Sequence, residues 1–401
     1  MLDPIFLLEI SRESELISAE LHDRVLKQLL ARLVARLGNE YEVFLTGTDK
    51  WQLASLDEAG HLLTDIQKEI ATSLGLESKA LANAFRRAGI ESVRYDDTVY
   101  QKAGIAPEAL EMSPQYVRIL ERGYLATMGE WKNFTRTTAI ETCRFYLNAC
   151  DRAYNAVMLG AESYSSVLLQ ILKEAAEQDM MVQYPPKKPG KPGHRDTLEV
   201  ACLRAVRTGI NQTASNITAV RAAENGITLF LTSAHIGARP EHFPWQGKVF
   251  WVDWDELKRR IPLPAEAFPV ATDDERRKYP EFCRSTDIGT VTGLCGANCR
   301  HSYMPYVEGI SHNPFEQFDS DENKKAYDLS QEQRYKERTI RKYKRRLMAL
   351  ESAVGGGGDL ETLASPEYQK TLAKTREKIA DYYAFCAENG LKPQEFRLAT
   401  P

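Results

Sequence analysis

Long apolar runs are missing from this 401-residue sequence. No stretch of about 18 uncharged apolar residues occurs, so no helix is expected to cross a bilayer. The first residues, MLDPIFLLEISRESE, have neither the basic start nor the longer apolar core of a secretory signal. Cysteine is scarce: there are seven, an odd number, with no pair in Cys-x-x-Cys spacing. That excludes a disulfide-dense scaffold and suits a reducing compartment. Neither sign of charge dominates, with 52 Lys and Arg against 56 Asp and Glu and a net charge of −4, which argues against a general nucleic-acid coat. No His-Glu-x-x-His, Gly-x-Ser-x-Gly, Walker A or Gly-x-Gly-x-x-Gly signature is present. The remainder is ordinary for a globular protein, 43% hydrophobic and 27% charged, and at roughly 150 residues per domain the length suggests two or three domains.

The first half reads as helix after helix. Leu16, Ile17, Leu21, Val25, Leu29, Leu33 and Leu37 recur at spacings of one, three and four, the stripe of an amphipathic helix. Gly38 stands where a left-handed C-terminal residue stops such a helix. Thr48 or Asp49 is placed to cap the next one, and His61 to Ala88 continues the period with an expected break at Gly75. Two further helices are expected over Glu108–Lys132 and Thr135–Val157, then one capped by Ser163. No strand is expected before residue 225. Residues 1–183 thus form a helical body.

Tyr184-Pro-Pro-Lys-Lys-Pro-Gly-Lys-Pro-Gly193 breaks the composition. Proline fixes φ and removes donors, so residues 184–197 are read as a Pro/Lys-rich surface loop, with phosphate contact as the sharper alternative. Leu198, Cys202, Val206 and Ile210 then step at i+4 along a helix ending near Gly226, and Ile227-Thr-Leu-Phe-Leu231 suits a strand. Residues 198–312 therefore read as a small, loop-rich α+β module.

That module is dense in metal-binding residue types. His235, His242, Cys283, Cys295, Cys299 and His301 lie among many glycines and prolines, so something besides regular structure must pin the backbone. Tetrahedral zinc takes thiolates and imidazoles, usually as two short-spaced pairs. His235 and His242 offer one pair, and Cys299 with Cys295 or His301 the other, although His-x6-His and Cys-x3-Cys are not the commonest spacings. The competing reading is buried cysteine and hydrogen-bonded histidine in a compact core, with no cofactor. A third is catalysis, either a hydrolytic zinc or a nucleophilic Cys299 beside Arg300 and His301. Arg239, Trp245, Gln246 and Arg300 are read first as loop-satisfying and core-filling residues.

These residues carry a resemblance. Arg207-Thr-Gly-Ile-Asn-Gln-Thr213, Ala234-His-Ile-Gly-Ala-Arg-Pro-Glu-His242, Trp245-Gln-Gly-Lys-Val249, Gly293-Leu-Cys-Gly-Ala-Asn-Cys-Arg-His-Ser302 and Pro305-Tyr-Val-Glu-Gly-Ile-Ser311 resemble the phage minor capsid protein 2 family of tailed-phage head proteins. The motif residues carried over are Asn211, Gln212, Thr213, Arg239, Pro240, Trp245, Gln246, Gly247, Asn298 and Arg300. The resemblance implies a structural, non-enzymatic role in head assembly near the portal vertex of a phage or prophage. It implies a location in the virion head, and in host cytoplasm during assembly. Expected partners are portal and capsid proteins, with no membrane. It implies no catalytic residues.

The tail carries most of the basic clustering. Gln331 to Leu350 holds eight Lys or Arg against two Glu, a local charge of +6. Arg334, Arg338, Arg341, Lys342, Arg345 and Arg346 are candidate contacts to packaged DNA, set against a solvated helix as the alternative. Gly355-Gly-Gly-Gly358 reads as a joint, and Ser365-Pro366 opens a last helix that closes near Gly390. Residues 322–401 are expected to form a basic helical hairpin that docks on another subunit. The fold class is mainly α, with a helical N-terminal body, the small α+β module and the C-terminal hairpin.

Overall fold

The computed structural model describes residues 2–37, 48–107, 113–159, 164–177, 181–184, 190, 193, 195–264, 268–315, 318–355 and 365–398. Mainly α is what it shows. The elements in chain order are α1 (Pro4–Ile10), α2 (Arg12–Leu37), α3 (Thr48–Lys102), α4 (Pro114–Met158), α5 (Tyr164–Glu177), β1 (Met181–Gln183), β2 (Arg195–Thr197) and α6 (Leu198–Glu224). They continue with β3 (Leu229–Thr232), β4 (Val249–Trp251), α7 (Trp254–Arg260), α8 (Asp273–Lys278), α9 (Phe282–Thr286), β5 (Tyr303–Tyr306), α10 (Ser320–Gly355) and α11 (Pro366–Glu388), closing on a 3-10 turn at Glu395–Arg397.

Several local expectations need correction. Gly75 does not interrupt its helix: α3 runs unbroken for 55 residues. A mid-helix glycine costs only about 1 kcal/mol against alanine, and the buried stripe of Leu62, Ile66, Leu81 and Phe85 outweighs it. The two helices expected around Lys132 and Thr135 are one, α4, because Phe134 and Thr135 at the supposed gap are themselves buried. Two strands do precede residue 225. β1 and β2 pair antiparallel, Val182 opposite Asp196, and three residues each is too short for an alternating pattern to register. Of the expected loop at 184–197, residues 195–197 are strand β2. The loop's lysines, and the caps expected of Gly38 and Ser163, lie outside the described residues, while Thr48 and Asp49 stand at the start of α3.

The chain falls into two compact units that interleave along the sequence. One takes residues 1–14, 77–131 and 203–330, and the other 15–76, 132–202 and 331–401.

The first unit is built on the antiparallel order β4-β3-β5. Every residue of the central strand β3 is buried, and Phe230 sits opposite Phe250 on one side and Pro305 on the other. The Phe230 ring meets Trp254, Phe282 and Tyr303 with centroids 5.6, 5.2 and 4.8 Å apart. Aromatic rings at such spacings add to area burial. Helix α6 crosses helix α4 closely through a reciprocal pair: a Cβ on Gly123 would fall 2.0 Å from Thr213 Oγ1, and one on Gly209 would fall 2.1 Å from Thr127 Oγ1.

In the second unit the expected α2 stripe is confirmed: Ile17, Leu21, Val25, Leu29, Leu33 and Leu37 are buried. Trp51 stacks on Tyr154 at 5.4 Å, with the Arg36 guanidinium 3.9 Å over its ring. Helices α10 and α11 form the expected hairpin, joined where Tyr382 donates to Glu337 at 3.1 Å. The hairpin is tied to other helices of its own unit. Arg345 of α10 reaches Asp23 of α2 and Glu199 at the start of α6, and Arg397 reaches Glu15.

A candidate metal centre of two histidines and a cysteine

Three stretches of the first unit converge at one end of the sheet. The β3–β5 ladder runs on past Thr232: Ser233 N–H donates to the Ser302 carbonyl at 2.9 Å, and Ser302 N–H donates to the Ser233 hydroxyl at 3.0 Å. This fixes His301, one residue before Ser302. A second stretch is a tight helical turn in which His242 and Phe243 N–H both return to the Arg239 carbonyl and Gln246 N–H to the His242 carbonyl. The Thr232 hydroxyl holds that turn through the Trp245 carbonyl at 2.8 Å.

The third stretch is the loop through residues 287–299. It folds so sharply that Cys295 and Asn298 adopt left-handed φ of 59° and 55°. Gly293 packs on Asp287 so closely that a Cβ would fall 1.9 Å from its carbonyl oxygen, so no larger residue fits there. Helix α6 clamps the loop. Asn211 donates to the Cys299 and His301 carbonyls at 3.2 and 2.8 Å, and Gln212 donates to the Cys295 carbonyl at 3.1 Å. Asn298 N–H donates to Thr208, and Arg239 ties the turn to the loop through the Ala297 carbonyl at 2.7 Å.

His242, Cys299 and His301 therefore meet, with only 2%, 2% and 1% of their surfaces exposed. His242 Nδ1 lies 3.4 Å from His301 Nδ1, and Cys299 Sγ lies 3.7 Å from each. The outer partners fix the tautomers. His242 Nε2 is 2.7 Å from the Thr292 carbonyl, which can only accept, so Nε2 carries the hydrogen. Gln246 Oε1 receives the His235 backbone N–H at 3.2 Å, which fixes the amide's orientation. His301 Nε2, 3.0 Å from that oxygen, must then be a donor as well. Both Nδ1 lone pairs consequently face the sulfur. Trp245 walls the group, its ring 4.8 Å from both imidazoles.

The other two candidate ligands stand aside. His235 stacks on His301 at 4.3 Å, but its Nδ1 is engaged by the Ile236 carbonyl and Arg300 at 3.0 and 3.2 Å. The Cys295 sulfur pairs with the Ser215 hydroxyl at 3.1 Å. Burial, with Arg300 adding to it, holds His235 down to about 3, and burial also lowers His242 and His301. Burial pushes the Cys299 thiol up to about 11, the reverse of what activates a nucleophile, and leaves no open face for a substrate.

Of the motif residues, Asn211, Gln212, Arg239, Gln246 and Asn298 hold the loops, Trp245 walls the cluster, and Arg300 pairs with His235. Thr213 packs against Gly123, Gly247 takes φ 64° at the end of the turn, and Pro240 is exposed in it. Sequence reasoning missed Asn323, whose side chain donates to and accepts from the Ala238 backbone at 2.9 Å, and Ser233. Neither carries a local signal, since each partner lies 69 or more residues away.

The basic residues of α10 are largely occupied within the second unit. Arg345 bonds Asp23 at 2.7 Å and Glu199 at 2.5 Å, Arg341 sits 3.0 Å from Glu199, and Lys342 and Arg346 pair with Glu177. Arg334 is held close to Glu337, Arg397 and Arg338, and Arg338 is exposed and lines a cleft with Arg341 and Lys342.

Among characterised proteins, the chain is similar to phage virion components. It is 22% identical to a structural protein of Lactococcus phage LL-H over 338 residues, 82% of this chain and 85% of that one. It is 36% identical to a structural protein of Lactococcus phage mv4 over 104 residues, 26% of this chain and 82% of that one. The class is thus a bacteriophage structural protein. More specifically, residues 9–384 match the family described as Phage minor capsid protein 2, and the chain belongs to that family. No solved structure matches it.

Proposed function

We propose that this minor capsid protein is a head component working in assembly at the portal vertex, with portal and capsid proteins as partners and no reaction of its own. The observation that carries the reading is the family match, which extends over residues 9–384 and so takes in both compact units rather than one module. The site chemistry supports a structural role. A sealed thiol raised to about 11 is suited to holding a fold and poorly suited to attack. The α10 cations are mostly spent on carboxylates of the same unit, which favours internal packing over a DNA-tracking helix. Leu53 and Leu56, exposed one turn apart on α3, offer apolar surface to a partner.

The test is cross-linking mass spectrometry on purified virions and on tailless heads. Cross-links from this chain to the portal, in both preparations, are the expected result. A chain that is absent from tailless heads, or cross-linked only to tail proteins, contradicts the reading.

A further inference from the structure

We propose that His242 Nδ1, Cys299 Sγ and His301 Nδ1 are three protein ligands of a tetrahedral zinc ion, and that the ion locks the loop through residues 293–301 onto the turn through residues 239–246. The first argument is metric. With Zn–N near 2.0–2.1 Å and Zn–S near 2.3 Å, tetrahedral geometry sets ligand separations of about 3.4 Å between nitrogens and about 3.6 Å between sulfur and nitrogen. The triangle measures 3.4, 3.7 and 3.7 Å.

The second argument is hydrogen-bond accounting. Both Nε2–H groups are committed outward, to the Thr292 carbonyl and to Gln246 Oε1, so two bare lone pairs and a sulfur meet away from water. One S–H serves a single nitrogen and leaves the other an orphaned buried acceptor, which is costly. A cation bound just off the plane of the three satisfies them all. Nearby cations are turned elsewhere, Arg239 to the Ala297 carbonyl and Arg300 to His235.

The third argument is the outer shell. Metal-bound histidines characteristically donate their second N–H to a carbonyl or carboxylate, which orients the ring, and both imidazoles do so here through a carbonyl and a carboxamide oxygen. Two imidazoles and a thiolate suit zinc and not magnesium or calcium. Among the described residues no fourth side chain joins these three, the Cys295 sulfur being held by Ser215 and His235 Nδ1 by Arg300, so a small donor such as water completes the shell. The burial of the three ligands makes the ion a fastener within the fold, and this inference stands apart from the placement at the portal.

The experiment uses the full-length chain purified without chelators from zinc-supplemented cells. Plasma mass spectrometry is expected to find about one zinc per chain. Cys299→Ser, His242→Gln and His301→Gln are expected to lower it by about tenfold or more, while Cys295→Ser and Cys283→Ser retain it. Cobalt(II) chloride titrated into chelator-stripped wild type is expected to give a thiolate charge-transfer band that saturates near one equivalent. A folded wild type that takes up neither zinc nor cobalt overturns the proposal without recourse to any variant. So do copper found in place of zinc, a band that persists in Cys299→Ser, and a band lost in Cys295→Ser.

Discussion

Each of the two compact units buries a cluster of electron-rich atoms, and the clusters differ in who supplies the positive charge. In the second unit Asp23 and Glu199 converge beside His22, and the chain provides Arg345, 3% exposed, with Arg341 behind it. Burial alone would raise the Glu199 carboxyl, yet these two guanidinium groups hold it well below the usual carboxylate range. In the first unit His242, Cys299 and His301 converge just as tightly, but the arginines of that neighbourhood are turned to other partners. A buried acceptor needs a donor or a cation from somewhere. Where the sequence provides one, the cluster reads as an ion network; where it does not, the cluster reads as a metal centre.

The comparison is broken most severely by removing the internal cation. Arg345→Met leaves the buried Asp23 carboxylate without its guanidinium and leaves Glu199 with Arg341 alone. Loss of one partner from a buried pair costs about 3–5 kcal/mol, and chemical denaturation is expected to report a loss of that size. Replacing the two carboxylates as well, as Asp23→Leu and Glu199→Gln in the same chain, is expected to recover most of it. If the single change is silent, the network contributes nothing.

A third buried acceptor sharpens the contrast. Glu77 is fully buried, accepts from the Ser14 hydroxyl at 2.6 Å, and leaves its other oxygen without a partner. With no cation beside it among the described residues, burial lifts its pKa to about 7. Below that pH it resolves the problem by keeping its proton. The folded state then binds more protons than the unfolded one between pH 4.5 and 7, so this stability is complete below 4.5 and is lost as the pH rises through 7. Glu77→Gln is expected to be more stable than wild type by about 2–3 kcal/mol at pH 8 and level with it near pH 4. Equal melting curves at both pH values would remove Glu77 from this comparison.

The smallest effect belongs to pairs in water. Lys342 and Arg346 share Glu177 with all three side chains partly exposed. Such pairs contribute about 0–1 kcal/mol and weaken with salt. Lys342→Gln is expected to move the denaturation midpoint by less than about 0.5 kcal/mol.

The contrast also separates what was legible in the sequence from what was not. The α2 stripe, the β3 strand and the hairpin of α10 and α11 could be read because their signals lie within a few residues, as periodicity, β-branching or a Ser-Pro start. The density of His and Cys pointed to the right neighbourhood, and three of the five residues named there converge. What could not be read were the partners. Nothing in residues 331–350 announces that Arg345 answers Asp23, 322 positions away, so a buried counter-ion read as a cation in solvent or against DNA. His235 and Cys295 matched the ligand types, and only Arg300 and Ser215, brought up by the fold, take them out of the set. Gly75 and the Lys132–Thr135 junction misled for the converse reason. Local weakness was overridden by burial along the whole helix.

The account rests on the claim that the first unit's acceptors are satisfied by a metal from outside the chain, and X-ray absorption at the zinc edge of the purified full-length protein tests it most directly. One sulfur near 2.3 Å with nitrogen or oxygen neighbours near 2.0–2.1 Å is the predicted shell. A shell of oxygens alone, two sulfurs, or no zinc edge above buffer would contradict it.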